Sequence, residues 1–408
     1  MVPTPTYVQT PSPGAPTSHA KVFFATIAAG GGHVATAQAM AAAVQLHRPG
    51  LVTTAVSDYM QEVGRRVAAV ERFDRQHKEM WKRALRFPLS ARLGQRLIDA
   101  LPQLTIQTQR RFLARFAEAA AADLTSRRPG LVVSNHGLVT TGLALAQRDY
   151  GLTIPVLTFA TETHNISAYW ADPSADHVLV PNGGVLADLQ RMGVPPEKMT
   201  VVGYPVQQAF LQAPTQEAAR AHLGLADRFT VLVSLGGEGI GGDPLATVRA
   251  LGAARPQAQI VVMCGRNEAL KRRVETLGAA NLRVESFSSE MAVFLAASDV
   301  VVGKAGPASV YETLAVGRPL LVTSYAGLNE KGVTQFVGEQ GLGRYVPTTA
   351  ALLAGVAFYA VPERAREVAE RCRKLDLKGQ TNAVAQAILS YLDHVSDPLE
   401  TPHKAQVS

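Results

Sequence analysis

Cysteine is almost missing from this chain: Cys264 and Cys372 are the only two in 408 residues. Two thiols provide neither a disulfide framework nor a metal knuckle, and they fit a reducing compartment. Long apolar runs are lacking too, since none approaches the roughly 20 uninterrupted apolar residues of a membrane span. Residues 1–19, "MVPTPTYVQTPSPGAPTSH", have neither the basic start nor the apolar stretch of a secretory signal. Their Pro, Thr and Ser content predicts a disordered arm outside the fold. No short internal repeat is visible. No aromatic–basic platform or known binding motif points to nucleic acid. The expected location is cytoplasmic.

What is present is enough for two cores. At 408 residues, 47% apolar and 18% charged, the chain predicts two domains with buried sheets. The net charge of +7 is unevenly placed, with fifteen Lys or Arg against seven Asp or Glu in residues 61–128. A basic stripe favours anionic partners such as lipid headgroups or nucleic acid. The alternative is a solvated helical surface.

"KVFFATIA" (21–28) is a continuous apolar run ending at glycines, as a buried parallel strand requires. A helix follows through "VATAQAMAAAVQLH", then a strand, "LVTTAVSDYM" (51–60), ending near Asp58. Residues 61–128 lack strand signals and read as two or three helices. Strand-like runs resume at 130–137, 154–162 and 176–182, and "MTVVGYPV" (199–206) closes this half with a Gly-Tyr-Pro suited to a hinge. A second series starts at "FTVLVSLGGEGIGG" (229–242) and continues at 258–267, 282–287, 299–309 and 319–325. Alternating strands and helices predict two doubly wound parallel sheets joined near residue 206. The amphipathic helix 381–395 is expected to pack back on the first half.

Gly30-Gly31-Gly32-His33-Val34-Ala35 formally satisfies the dinucleotide fingerprint, with Asp58 one strand further on. Glycines at a strand-to-helix turn serve any close turn, however. The distinguishing feature is His33 at the helix start, where its ring would reach the crevice beyond the strand ends. The positive helix end disfavours protonation of that imidazole and leaves it available as a base. The alternative is a turn with a solvated histidine.

The second half carries a more specific pattern. "SLGGEGIGG" is another glycine-rich strand-to-helix turn, and in "VVGKAGPASVYETLAVGRP" (301–319) Lys304 follows a buried strand while Gly306-Pro307 open a helix. Exposed amides, a nearby cation and the helix dipole together make a diphosphate site. Glu312, a little over one turn in, is suitably placed for ribose hydroxyls.

Six segments then carry a resemblance spanning roughly residues 20–395: "GGGHVATAQAM", "PSADHVLVPNGGVLADLQRMGVPPEKMTVVGYPV", "LGGEGIGG", "VVMCGRN", "VGKAGPASVYETLAVGRPLLV" and "NEKG". With them the chain resembles the monogalactosyldiacylglycerol synthases and the processive diacylglycerol glucosyltransferases. The resemblance implies an α/β fold of GT-B type, two Rossmann-like domains facing across a cleft. It divides the chain into the arm 1–19, an acceptor- and membrane-facing domain 20–206 with helix 381–395 added, and a nucleotide-sugar domain 207–380. It makes His33 similar to the histidine that deprotonates the acceptor hydroxyl, and Glu312 similar to the ribose-binding glutamate. Gly236, Gly237, Lys304, Gly306, Pro307 and Ser309 would surround the diphosphate. Phe287 with Met291 nearby would hold the uracil. Arg266 and Asn267 match the "GRN" beside the donor, and Asn329 with Glu330 sit where the family reads sugar hydroxyls.

The acceptor loop departs from the family. Where that family has Thr-Asp and then a His three residues before a Trp, this chain has "ATETHNISAYW". Glu162 replaces the Asp, His164 lies six residues before Trp170, and Ser167 holds the expected His position. The resemblance also makes the helical insertion a membrane contact. Trp81, Leu85, Phe87, Leu89, Leu93, Leu97 and Ile98, interspersed with Lys82, Arg83, Arg86, Arg92 and Arg96, suit an interfacial helix on anionic lipid. A helix packing its apolar face on the domain is the alternative. Gly32, Glu162 and Trp170 are assigned to the acceptor side.

The expectation is thus an inverting hexosyltransferase moving glucose or galactose from a UDP-sugar to a lipid hydroxyl, diacylglycerol or a glycolipid. It would need no cofactor or metal and would sit peripherally on the inner face of the cell membrane. Its partners would be a UDP-hexose, the lipid and an anionic membrane surface, not nucleic acid. The alternatives are a UDP-sugar 2-epimerase on the same scaffold and a silent nucleotide-sugar or lipid-binding protein. The first requires carboxylates around the donor sugar, and no such cluster is legible near the glycine turns.

Overall fold

The computed structural model describes residues 20–29, 31–234, 236, 237, 239 and 243–396, without the side chains of Leu85, Arg86, Pro88 and Ala91. The expected arm, Gly30 and the Arg86 side chain therefore lie outside the described residues.

The first sheet grows from the apolar run after residue 20. β1 (Ala20–Thr26) leads into α1 (Gly32–His47), and β2 (Val52–Asp58) pairs with β1 in parallel. Four helices follow instead of two or three: α2 (Tyr59–Gly64), α3 (Ala68–Arg86), α4 (Pro88–Ala100) and α5 (Pro102–Arg127). Pro at the first position of α4 and of α5 divides the basic stretch, because a prolyl nitrogen cannot continue a preceding helix. Then come β3 (Leu131–Ser134), α6 (Gly137–Asp149), β4 (Val156–Phe159), β5 (His177–Val180), α7 (Gly183–Arg191) and β6 (Met199–Val201). The sheet order is β2-β1-β3-β4-β5-β6, every pair parallel.

Two short helices, α8 (Gln208–Leu211) and α9 (Gln216–Leu223), lead to the second sheet. Its first half comprises β7 (Thr230–Ser234), α10 (Pro244–Ala254), β8 (Gln259–Met263), α11 (Glu268–Glu275), β9 (Leu282–Glu285) and α12 (Met291–Ala297). Its second half comprises β10 (Val300–Lys304), α13 (Pro307–Ala315), β11 (Leu320–Ser324), α14 (Leu328–Glu339) and β12 (Gly343–Tyr345). The order is β12-β11-β10-β7-β8-β9, again all parallel. α15 (Thr349–Tyr359) and α16 (Pro362–Lys374) finish this part, and α17 (Leu377–Ser396) returns to lie on α1.

The strands are buried on both faces, as Val22 and Phe24 on one side and Phe23 and Val132 on the other show in the first sheet, and Leu232, Val262 and Leu321 in the second. The two chain crossings between the halves are bonded side by side. Tyr204 N donates to Gln380 Oε1 at 2.9 Å, and Val206 N to Thr381 Oγ1 at 3.0 Å.

Candidate functional site

In each sheet the chain leaves its first strand to one side and later returns on the other. The crevice beyond that reversal is where open parallel sheets bind ligands. In the first sheet it opens beyond β1 and β3, in the second beyond β7 and β10. The glycine turns lie at these places.

Beyond β1, Gly31 takes φ +82°, a left-handed conformation that side chains resist, and so turns the chain into α1. His33 follows in the first turn. Its Nδ1 lies 3.0 Å from the carbonyl oxygen of Asn135 and 3.0 Å from Thr161 Oγ1. A carbonyl only accepts, so Nδ1 carries the hydrogen and Nε2 keeps its lone pair. Asn135 Nδ2 donates back to the His33 carbonyl at 2.6 Å. Burial pushes the His33 imidazole down to about 4, so it is neutral near pH 7.

Two further histidines complete a cluster that the sequence reading missed. The His136 ring centroid is 4.7 Å from that of His33, and His77 of α3 is 5.4 Å from His136. Trp170 lies 6.4 Å from both His33 and His136. His136 caps α6 by accepting from Leu138 N, and burial holds its imidazole well below the usual histidine range. The available signal was "SNHG" at the end of β3. Its meaning depends on β3 being the neighbour of β1.

Asp58, which a dehydrogenase would aim at a ribose, is occupied otherwise. It caps α2 and forms an ion pair with Lys78 at 2.7 Å. In the acceptor loop, Glu162 accepts from Ser167 N at 2.8 Å and from the Trp170 indole. Burial pushes the Glu162 carboxyl up to about 7, with the charges of Asp99 and Glu330 adding to the shift. His164 reaches the second domain, its ring centroid 5.1 Å from that of Phe336 of α14.

Beyond β7 and β10 the second group converges. A Cβ on Gly236 would stand 3.5 Å from Lys304 Cε, and one on Gly306 would stand 3.3 Å from Lys304 Nζ. The lysine therefore spans both glycine turns. Gly237 O accepts from Arg266 N at 2.9 Å, and the Arg266 guanidinium lies 4.2 Å over the Phe287 ring, which is exposed on its outer side. Met291 opens α12 after that wall. Asn267 has a structural task, since it caps α11 through Leu270 N and donates to Gly239 O. Gly306 and Pro307 start α13 and Ser309 lies in its first turn. Among the described residues, α1 and α13 have no side-chain cap, which leaves their first amides open.

Glu330 departs from the expected placement. Instead of pointing a free carboxylate at a sugar, it is buried, with Oε1 3.3 Å from Lys304 Nζ and Oε2 accepting from Ala326 N at 2.6 Å. A carboxylate thus does stand by the glycine turn, neutralised by its lysine. Asn329 lies beside it in the first turn of α14. Burial pushes the half-buried Glu312 carboxyl up to about 8.

The two groups approach one another across the domain boundary. A Cβ on Gly32 would meet Ala308 Cβ at 3.6 Å, so α1 and α13 begin side by side. Thr36 of α1 bonds Tyr204 Oη at 3.1 Å, and Tyr204 stacks on Tyr311 of α13 with centroids 4.4 Å apart.

The basic helices correct two expectations. Trp81 packs on the core of the first domain, its indole Nε1 buried. Arg92 faces the second domain, donating to the Tyr325 and Ala326 carbonyls at 3.0 and 3.2 Å over the Tyr325 ring. Arg83 is exposed. Phe87, Leu89, Leu93 and Leu97 are 65%, 78%, 62% and 67% exposed. Among the described residues no helix is long and apolar enough to cross a membrane, and no group of three or more His, Cys, Asp or Glu is placed to hold a metal.

Comparison with known proteins follows this division. Residues 33–206 match the family model for monogalactosyldiacylglycerol (MGDG) synthase, and residues 244–345 that for the glycosyltransferase family 28 C-terminal domain. The chain is 29% identical over 258 residues to a probable chloroplastic monogalactosyldiacylglycerol synthase of Nicotiana tabacum, covering 60% of this chain and 48% of that protein. It is 26% identical over 386 residues to monogalactosyldiacylglycerol synthase 2 of Arabidopsis thaliana, covering 90% and 79%. With the processive diacylglycerol beta-glucosyltransferase of Staphylococcus carnosus the identity is 24% over 278 residues, covering 67% and 70%. The aligned part thus spans about half the length of the first of these relatives. Among solved structures, UDP-GlcNAc 2-epimerase of Neisseria meningitidis bound to UDP-GlcNAc superposes with TM-score 0.59 at 13% identity, covering 91% of this chain and 99% of that one. The glycotransferase of kitacinnamycin gives 0.58 at 19%, covering 92% and 100%. These likenesses establish the two-domain GT-B fold.

Proposed function

We propose that this relative of the monogalactosyldiacylglycerol synthases and diacylglycerol glucosyltransferases transfers a hexose from a UDP-sugar to the hydroxyl of diacylglycerol or a related glycolipid. The observation that carries the reading is the neutral His33, with Nε2 unprotonated, on a helix that starts beside the Lys304–glycine cradle of the other domain.

The chemistry follows from that juxtaposition. His33 Nε2 takes the proton of the acceptor hydroxyl while its oxygen bonds to the anomeric carbon on the side opposite the diphosphate. The bond from that carbon to the diphosphate oxygen breaks, and configuration inverts. The leaving UDP gains negative charge, which Lys304 and the uncapped amides of α13 stabilise. No metal enters this scheme. In this reading Arg266 and Phe287 serve as the wall for the uracil, and Glu312 is assigned to the ribose hydroxyls.

The exposed leucine row of α4 supports a peripheral membrane association. Leu89, Leu93 and Leu97 recur at a spacing of four, with exposed Arg96 on the same helix and exposed Arg83 on α3, as an interfacial surface on anionic lipid requires. The epimerase likeness is one of fold alone, and the Glu330 carboxylate beside the glycine turn is engaged by Lys304.

The test is UDP release from UDP-glucose and UDP-galactose with and without diacylglycerol vesicles, together with lipid products. His33→Ala is expected to lower turnover at least 100-fold, the contribution of general base catalysis, while UDP affinity stays within about twofold. An unchanged rate removes the assigned base. Release of UDP without acceptor lipid redirects the reading to hydrolysis or epimerisation.

A further inference from the structure

We propose that Arg92 and Gln95 of α4 are positioning residues for the donor pocket, holding residues 325–328 so that Glu330 keeps Lys304 over the glycine turn. The inference rests on reading that turn as the diphosphate site.

Both side chains belong to the first domain, and both end on backbone groups of the second. Arg92 donates Nε to Ala326 O at 3.2 Å and Nη2 to Tyr325 O at 3.0 Å, with its guanidinium 4.2 Å from the centroid of the Tyr325 ring. Gln95 Oε1 accepts from Leu328 N at 2.8 Å. That amide opens α14 and has no partner within its own helix. Asn165, from the acceptor loop, donates to Leu328 O at 3.0 Å. Leu328 is thus held at both backbone groups from across the cleft.

Ala326 is held at both groups as well. Its carbonyl is fixed by Arg92, while its N–H donates to Glu330 Oε2 at 2.6 Å. The other oxygen of that carboxylate meets Lys304 Nζ at 3.3 Å. A lysine ammonium is a point charge on a flexible stem, and only its partners decide where it rests. The chain of contacts therefore runs from α4 through Ala326 and Glu330 to the cation spanning Gly236 and Gly306.

The face of α4 that does this is distinct from its apolar one. Arg92, Gln95 and Asp99 lie three and four residues apart, on one side of the helix. Asp99 continues the row by accepting from Ser167 Oγ and Ala168 N at 2.9 and 2.8 Å. One helix face thereby fixes both the donor segment and the acceptor loop. Arg92 and Gln95 act through the backbone of residues 325–328.

The test is calorimetric titration of the full chain, without lipid, with UDP and separately with uridine, which lacks the diphosphate. In the double variant R92A/Q95A, UDP is expected to bind on the order of tenfold more weakly and uridine within twofold of the unmodified protein. R92K, which keeps the cation but not the two-pronged grip, is expected to fall between. Thermal melting establishes that each variant is folded. If the double variant does not fold, R92K decides alone through the same comparison. UDP binding unchanged in a folded variant overturns the proposal, as does equal weakening of UDP and uridine, which marks a general loss of structure. If the unmodified protein binds neither ligand, the donor-pocket reading itself fails, which is a different result.

Discussion

A carboxylic acid held neutral by burial makes stability depend on pH in a direction opposite to the usual one. Glu312 binds its proton more tightly folded, up to about 8, than an ordinary glutamate does unfolded. Between those values the unfolded chain has lost the proton while the folded one retains it. Stability therefore falls as pH rises, by up to about 1.4 kcal/mol per pH unit for a single group. Glu312→Gln removes that dependence. Its melting temperature relative to the unmodified protein is expected to rise progressively from pH 5 to pH 8, as calorimetry at stepped pH would register; a constant difference refutes the shift. His33 was legible in the sequence because a glycine turn after an apolar strand announces a helix start. Its partners Thr161 and His136 were not, since they converge only through the order β1-β3-β4, which one strand's sequence cannot encode. Glu330 was placed by motif, whereas its pairing with Lys304 is a product of tertiary packing.

Among the elements, α4 is the one whose two faces have separate tasks. Its leucine row has no cover in the described structure, while its Arg92–Gln95 row is spent on the second domain. Replacing Leu89, Leu93 and Leu97 together by Ser removes apolar surface worth roughly 1.5–3 kcal/mol per fully buried leucine. Sedimentation with anionic diacylglycerol vesicles is expected to weaken at least tenfold, and unaltered sedimentation sinks the interfacial assignment. The sequence showed that this region is amphipathic and basic, but amphipathicity looks the same whether the apolar face meets lipid, water or core. That is why Trp81 and Arg92 were read as surface contacts when one lies on the core and the other across the cleft. The prolines at 88 and 102 were the signals that would have divided the helices correctly. β12, three residues at a sheet edge, is too short to leave a period in the sequence.

At the scale of the whole molecule, the two parallel-sheet lobes were readable because buried parallel strands are near-continuous apolar runs punctuated by glycine turns. The junction was readable only as a Gly-Tyr-Pro. That α17 would bond back to the same place required the coordinates. Thr381→Val leaves the buried N–H of Val206 without its acceptor, at a cost of about 1–3 kcal/mol. Urea denaturation is expected to register that loss, and an unchanged midpoint rules out a structural role for the bond.

Because Gln380 and Thr381 are tied to the backbone of Tyr204 and Val206, while Arg92, Gln95 and Asn165 hold residues 325–328 at a second place, the lobes are fastened as a book is by its spine and its clasp. Two fastenings resist the sliding of one lobe past the other. The imidazole of His33 and the ammonium of Lys304 thereby keep one mutual alignment.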